Sequence, residues 1–396
     1  TNSFKSEDPA NAHGLLKLEM RMLGSLLLAA AEPARVPAGS ALAVDRHIFS
    51  RAMTGAVTEH PAIRVVREEL ETLPTGPAVV ATGPLTSDAL AGSIAGLLGD
   101  EGLAFYDSIA PIVAFDSIDT DVAYFLSRYG KGGDDYLNCP MDRERYETFL
   151  DALRTADTYP GHDWERVPYF EGCLPIEVMA GRGDDTMRFG PMKPVGLPDP
   201  RTGREPYAVV QLRREDREGQ LWNLVGFQTR LRTGEQRRVF RMIPGLEEAE
   251  FLRHGSIHRN TYLNFPAGLT AHGAPASRPD LIFAGQLTGV EGYTESAASG
   301  ILAGINLTRI LAGQDPILPP STTMLGGLYR YLRESRTADF QPMNSNFGLL
   351  DPLPERVRGR RQKREKLAQR AREDLARWLA DHEIEPAPSP ALRVPA

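Results

Sequence analysis

From residue 12 to residue 30 the chain reads "AHGLLKLEMRMLGSLLLAA", with Leu15, Leu16, Met20 and Leu23 recurring at helical spacing until Pro33 and Pro37. That pattern predicts an amphipathic helix stopped by the prolines. "GSALAVDRHIFSRAMTGAV" then predicts a short strand entering a second helix, and "IRVVREEL" and "PAVVATGPL" read as strands. The latter ends in Ala81-Thr82-Gly83-Pro84, after which Ser87 is placed to cap a helix over "SDALAGSIAGLL". Far along the chain, Leu281, Ile282 and Phe283 read as a buried strand. Gly285 and Gly289 then permit a tight turn, and Ser296 to Asn306 reads as a helix rich in small residues. Strands alternating with helices predict a parallel, doubly wound sheet.

Between about Phe105 and Phe265 prolines and aromatics become frequent, helical patterns thin out, and separated strand-like runs such as "YAVVQLR" and "LWNLVGFQT" appear. This predicts a mixed α+β domain inserted between two parts of an α/β domain. The expected boundaries are 1–88 and 273–354 for the two α/β parts and 89–272 for the insertion. A basic helix over 355–380 and a Pro-rich tail over 381–396 follow.

With 41% apolar and 24% charged residues, the composition is that of a folded chain able to build more than one core. No apolar run approaches the roughly 20 residues a membrane span needs, so no membrane partner and a cytoplasmic location are expected. Two cysteines, Cys139 and Cys173, are too few for a disulfide framework or a Cys-based metal site, and no metal is expected. HExxH, GxxxxGK[ST] and GxSxG are all absent, so any catalysis is expected to depend on an organic cofactor.

Charge is concentrated. From Glu355 to Arg377 ten Lys or Arg stand against four Asp or Glu, a net +6 that leaves −13 for the rest of a chain whose formal total is −7. Such a segment is the footprint of a polyanionic partner, or else a solvated helix face laced with ion pairs.

The turn after "VVATGPL" and the turn in "FAGQLTGVEGYTESAASG" would both lie at strand ends of one sheet. Thr82, Gly83, Gly285, Gln286, Gly289, Val290 and Ser296 are therefore candidate dinucleotide contacts, since bare backbone and a helix N-terminus both suit phosphate. Glu291 and Glu295 are either helix-entry residues that complement the macrodipole or groups that hydrogen-bond near the cofactor. Cys173, in "YFEGCLPIEVMAGRG", is flanked by Glu171 and Glu177, which would raise rather than lower its thiol pKa. Lys193, Arg201, Arg204, Arg213 and Arg214 are set among Pro and Gly turns in the stretch from Arg188 to Asp216. These cations are suited to an anionic ligand or a nucleic-acid backbone, and "SIHRNTYLNFP" adds the polar triplet His258, Arg259 and Asn260 beside an aromatic.

Several stretches, among them "GLLKLEMRMLGSL", "VVATGPLTS", "YLNCPM", "FGPMKPVGLPDPRTGREPYAVVQLR", "HRNTYLN" and "FAGQLTGVEGYTESAASGILAGIN", occur in an order that spans residues 1 to 380. In this the sequence resembles the folate- and FAD-dependent tRNA (uracil-5-)-methyltransferases, the TrmFO family. The last glycine stretch is shared with a related flavoprotein that modifies tRNA wobble uridines, which is the alternative reading together with a non-catalytic flavin- or tRNA-binding module. The resemblance implies a Rossmann-like FAD-binding domain interrupted by an insertion domain, and an enzyme forming 5-methyluridine in the T-loop of tRNA. It also implies 5,10-methylenetetrahydrofolate as carbon donor and NAD(P)H as reductant through FAD. Cys173 falls in the segment where the family has a cysteine implicated as nucleophile toward uracil. His258, Arg259 and Arg213 are candidates for folate or substrate contacts. The family also has a first strand, a glycine loop and a second cysteine ahead of the point that matches Thr1, and these are expected to precede this sequence.

Overall fold

The computed structural model describes residues 2–99, 103–130, 133–159, 174–215, 219–337 and 340–385, leaving aside the side chains of 103–109 and 256–261. The chain divides into two compact units, each built from separate segments. One comprises Thr1–Ser3, Ala34–Ile48 and Phe105–His258, and the other Phe4–Pro33, Phe49–Ala104 and Arg259–Ala396. The sequence boundary at residue 88 places Ala34–Ile48 with the α/β part, whereas these residues belong to the unit that holds Phe105–His258.

The first unit is organised on an antiparallel sheet of six strands. Their order is Phe251–Arg253, Ile112–Ala114, Leu221–Leu224, Ala208–Arg214, Tyr136–Met141 and Tyr124–Phe125. Alternation sets its faces: Leu137, Cys139 and Met141 join Ala208, Val210 and Leu212 in one core cluster. Asn138 points the other way, donating to Tyr124 and Leu126 carbonyls at 3.1 and 2.9 Å. The helix Arg143–Thr155, started by the Asp142 carboxylate accepting from Arg145 N–H at 2.8 Å, adds Tyr146, Phe149, Leu150 and Leu153 to that core. Phe149, Phe227 and Phe240 are fully buried there, each worth about 1.5–3 kcal/mol of apolar transfer. Cys139 is one of these core residues, and burial pushes its thiol well above the ordinary range. That identifies it as a small hydrophobe rather than a reactive group.

The second unit carries the parallel pair Ala78–Val80 and Leu281–Phe283, with helices Ala12–Met22, Leu26–Ala31, Asp88–Leu98, Tyr293–Leu311, Met324–Glu334 and Arg360–Asp381. The predicted long helix over 12–30 is two, because Gly24 turns left-handed at φ 71 and Ser25 caps the second by accepting from Leu28 N–H. The predicted strand "IRVVREEL" is not one. Ile63, Val65, Val66 and Leu70 are 42–51% exposed in irregular backbone. Alternation alone gives no strand without a ladder partner. Among the described residues no helix is long and apolar enough to cross a membrane, and no His, Cys, Asp and Glu cluster could hold a metal ion.

Candidate functional site

Ala78–Val80 and Leu281–Phe283 pair in parallel register, Leu281 with Ala78, Ile282 with Val79 and Phe283 with Val80, and Ala284 N–H extends the ladder to the Val80 carbonyl at 3.0 Å. Leu281, Ile282 and Phe283 are completely buried, which explains an unbroken apolar run instead of alternation. Both strands leave the sheet at their carboxyl ends into glycine turns, the place where open α/β sheets receive ligands.

Most polar groups of the second turn hold its own shape. Gly285 N–H donates to Ser299 Oγ at 3.0 Å and Gly289 N–H to the Gln286 carbonyl at 3.0 Å. Gln286 Nε2 donates to Glu291 Oε2 at 2.8 Å, while buried Val290 forms a parallel bridge with Met343. Ser296 N–H closes the first helical turn on the Gly292 carbonyl at 2.9 Å. Gly292 is required twice over: its φ is +116, and a Cβ there would lie 2.3 Å from Glu295 Oε2. The Gly285 and Gly289 amides are thus already engaged within the turn, which leaves close approach of the backbone as what these glycines can offer a ligand.

Two features stay open. The helix Tyr293–Leu311 has no side-chain cap, and no described residue accepts from the Tyr293 or Thr294 amides. Gly83, at φ +74, has nothing within 4 Å of where a Cβ would stand, beside exposed Thr82. Thr82 Oγ1 and Thr86 Oγ1 are 2.7 Å apart, and Thr86 in turn donates to the Gly83 carbonyl at 2.9 Å. Free helix amides and uncovered strand-end backbone are the elements that suit an anionic dinucleotide.

Beneath the helix start lies a buried polar cluster that the sequence reading passed over except for Glu295. Glu295 accepts from Ser345 N–H at 3.0 Å, Ser345 Oγ at 2.6 Å and Thr294 Oγ1 at 2.7 Å, and its Oε1 is 3.2 Å from His13 Nδ1. Burial opposes its ionisation. The His13 hydrogen bond, the Lys5 charge and the Ser345 hydroxyl outweigh burial and hold the carboxyl well below its usual range. Thus Glu295 is an anion that ties the start of this helix to Ser345 and His13. Lys17 donates to the Phe4 and His13 carbonyls at 2.6 and 3.0 Å, and burial lowers its pKa to about 8 against the pull of Glu295. Glu19 accepts from Met324 and Leu325 N–H at 2.6 and 2.9 Å, capping the helix Met324–Glu334, and burial raises its carboxyl to about 8. The available signal was positional: His13 and Lys17, four apart, share the helix face of buried Leu16 and Met20.

The remaining predicted residues are scattered. Arg213 lies in the Ala208–Arg214 strand, 8% exposed, donating to Asn2 Oδ1 at 3.1 Å and 3.9 Å from Glu215, which also pairs with Arg46 at 2.5 Å. Its charge is already placed among protein groups. Cys173 lies outside the described residues, as do the side chains of His258 and Arg259, whose backbone belongs to the strand Ser256–Tyr262. Glu177, expected to raise the Cys173 pKa, accepts from Thr229 Oγ1 at 2.8 Å and Arg230 N–H at 2.9 Å.

The basic segment folds as Arg360–Asp381, with Leu367, Ala368, Ala371, Leu375, Trp378 and Leu379 on a buried stripe. Arg361 pairs with Glu365 at 2.8 Å and Arg364 lies over the Phe347 ring at 5.4 Å. Arg360, Lys363 and Lys366 are exposed without a charged partner among the described residues.

Comparison with known proteins places these features in a family. The model of the family described as glucose inhibited division protein A matches residues 1–315. A methylenetetrahydrofolate–tRNA-(uracil-5-)-methyltransferase TrmFO of Geobacter sulfurreducens is 57% identical over 382 residues, 96% of this chain and 88% of that protein. Its namesake in Desulforudis audaxviator is 56% identical over 96% of this chain and 87% of its own length. Among solved structures, Aquifex aeolicus GidA in its form II crystal superposes with a TM-score of 0.65 at 16% identity, over 97% of this chain and 69% of that one.

Proposed function

The chain belongs to the TrmFO family of tRNA (uracil-5-)-methyltransferases, and we infer from this and from the strand-end site that it methylates C5 of a T-loop uridine in tRNA. The carbon donor is 5,10-methylenetetrahydrofolate, and NAD(P)H is the reductant through FAD. The observation that carries the reading is the parallel pair Ala78–Val80 and Leu281–Phe283, which ends beside the unengaged Tyr293 and Thr294 amides. Those amides and the open side of Gly83 fit the pyrophosphate and backbone approach of a flavin dinucleotide. FAD, when bound, supplies the hydride chemistry that a methylene-to-methyl conversion requires.

The protein's own part is to bind, orient and activate. Glu295, fixed by Ser345, Thr294 and His13, holds the start of the helix rigid so that its amides stay aimed. Cys173 is proposed as the nucleophile. Its thiolate adds to uracil C6, which makes C5 nucleophilic toward the methylene carbon. Loss of the C5 proton then breaks the bond from the transferred carbon to its carrier nitrogen, the resulting exocyclic methylene takes up a hydride, and expulsion of the thiolate restores the ring. Glu177, four residues further along the sequence, is already held by Thr229 Oγ1 and Arg230 N–H. His258 and Arg259 are proposed to meet the folate, and the insertion spanning 89–272 to present substrate. A cytoplasmic location is proposed with it, in keeping with a tRNA substrate.

Identity of 57% to the Geobacter methyltransferase over 96% of this chain supports C5 methylation. The test is methyl transfer to tRNA with mapping of the modified nucleotide by mass spectrometry. A T-loop 5-methyluridine that appears only with both methylenetetrahydrofolate and NAD(P)H is expected. Methylation driven by S-adenosylmethionine, or a wobble product, overturns the assignment.

A further inference from the structure

Tyr129 combines two features that a protein ordinarily avoids. Its backbone is left-handed, φ 59 and ψ 24, in a residue that is neither Gly nor Asn, and its side chain is 61% exposed. Neither is a loose-loop effect. Tyr129 N–H donates to the Gly196 carbonyl at 3.0 Å, and its ring rests so closely on Gly196 that a Cβ there would stand 2.5 Å from Cε1. Gly196 is itself left-handed at φ +81, and its N–H donates to Glu205 Oε1 at 2.6 Å. The neighbouring Arg128 clamps the same loop, donating to the Val195 carbonyl, to the Lys193 carbonyl at 2.8 Å and to Gln211 Oε1 at 3.2 Å. The chain thus holds a large aromatic ring in one orientation, open to solvent, at a conformational cost.

A ring fixed in this way offers contact area with little entropy left to lose on binding. The cations carried by the loop it packs against narrow the ligand. Lys193, whose carbonyl Arg128 grips, has no ion-pair partner for its ammonium among the described residues, and exposed Arg204 has none for its guanidinium. An aromatic platform with unengaged cations in the same loop is the arrangement that recognises unstacked bases of RNA, the ring taking a base and the cations the backbone.

We propose that Tyr129, held by Gly196 and Arg128 beside Lys193, is a stacking platform for an unpaired base of the RNA substrate. This rests on the reading of the protein as a tRNA-modifying enzyme, and it locates a base contact within the unit that contains Phe105–His258.

The experiment compares tRNA affinity, its salt dependence and thermal midpoint for the FAD-loaded full chain and two variants. Tyr129→Phe keeps the ring and is expected to bind within about twofold of the parent. Tyr129→Gly removes the ring and relieves the left-handed strain. Its thermal midpoint should hold or rise, while tRNA affinity falls about 5- to 150-fold with no change in salt slope, because the ring carries no charge. One tRNA with an abasic T-loop position should bind the parent chain equally weakly and be insensitive to Tyr129→Gly. Unchanged affinity in Tyr129→Gly, or the same loss on every abasic tRNA, overturns the platform while leaving the enzyme assignment standing. If the parent chain binds no tRNA at all, the functional reading fails and the platform with it.

Discussion

His13 Nδ1 lies 3.2 Å from Glu295 Oε1, joining the first turn of the helix Ala12–Met22 to that of Tyr293–Leu311. The carboxylate also accepts three hydrogen bonds from Ser345 and Thr294, so replacing it with a methyl group strands several buried donors at once. Glu295→Ala is expected to cost on the order of 3–5 kcal/mol in urea denaturation and to weaken FAD binding. Glu295→Gln, which keeps one acceptor oxygen, should lose less of both. An Ala variant with parental stability and FAD affinity would show that the cluster supports neither.

Glu19 gives a pH signature. Its carboxyl is raised by burial from its ordinary 4.5 to about 8, so the folded state holds a proton that the unfolded chain releases. Its contribution to stability is full below about pH 4.5 and is lost as pH rises through about 8. Denaturation midpoints should decline across that window by up to a few kcal/mol, at about 1.4 kcal/mol per pKa unit, and Glu19→Gln should flatten the decline. A parental profile in the variant would assign the pH dependence elsewhere.

Much of this was legible where the determinants are local. The Ser87 cap, the buried run Leu281–Phe283 and the helix that follows each follow from neighbours in sequence, and the structure has all three. "IRVVREEL" failed because a strand is defined by a partner that periodicity cannot supply. Glu19 and Lys17 were invisible for the same reason: only packing against residues such as Met324 makes a charged side chain in an amphipathic helix a buried one. The sequence shows the glycine turn but not the acceptor, Ser299 Oγ, that already takes the Gly285 amide.

Cys173→Ser is expected to remove turnover, at least about a thousandfold, with the FAD absorption band retained. A hydroxyl near neutral pH is a far weaker nucleophile than a thiolate. Persistent turnover would make the thiol structural.

The basic helix should act through its unpaired cations. Arg361 and Arg364 are already engaged with Glu365 and Phe347, so the set to change is Arg360, Lys363 and Lys366. Replacing these with Ala should weaken tRNA binding and shallow the log–log salt slope by about one for each lost phosphate contact. An unchanged slope would make the helix an ordinary solvated face.

The register that joins Ala78 to Leu281 also sets a timetable. One strand of the pair leaves the ribosome early, but its neighbour follows only after the whole of Phe105–His258, a segment able to gather its own antiparallel sheet first. Closing so long a loop adds to the entropic barrier and slows assembly relative to local hairpins. The strand-end turns proposed to receive the dinucleotide are thus among the last parts of the molecule to form during synthesis. Acquisition of yellow colour by the nascent protein should report completion of the fold rather than its nucleation.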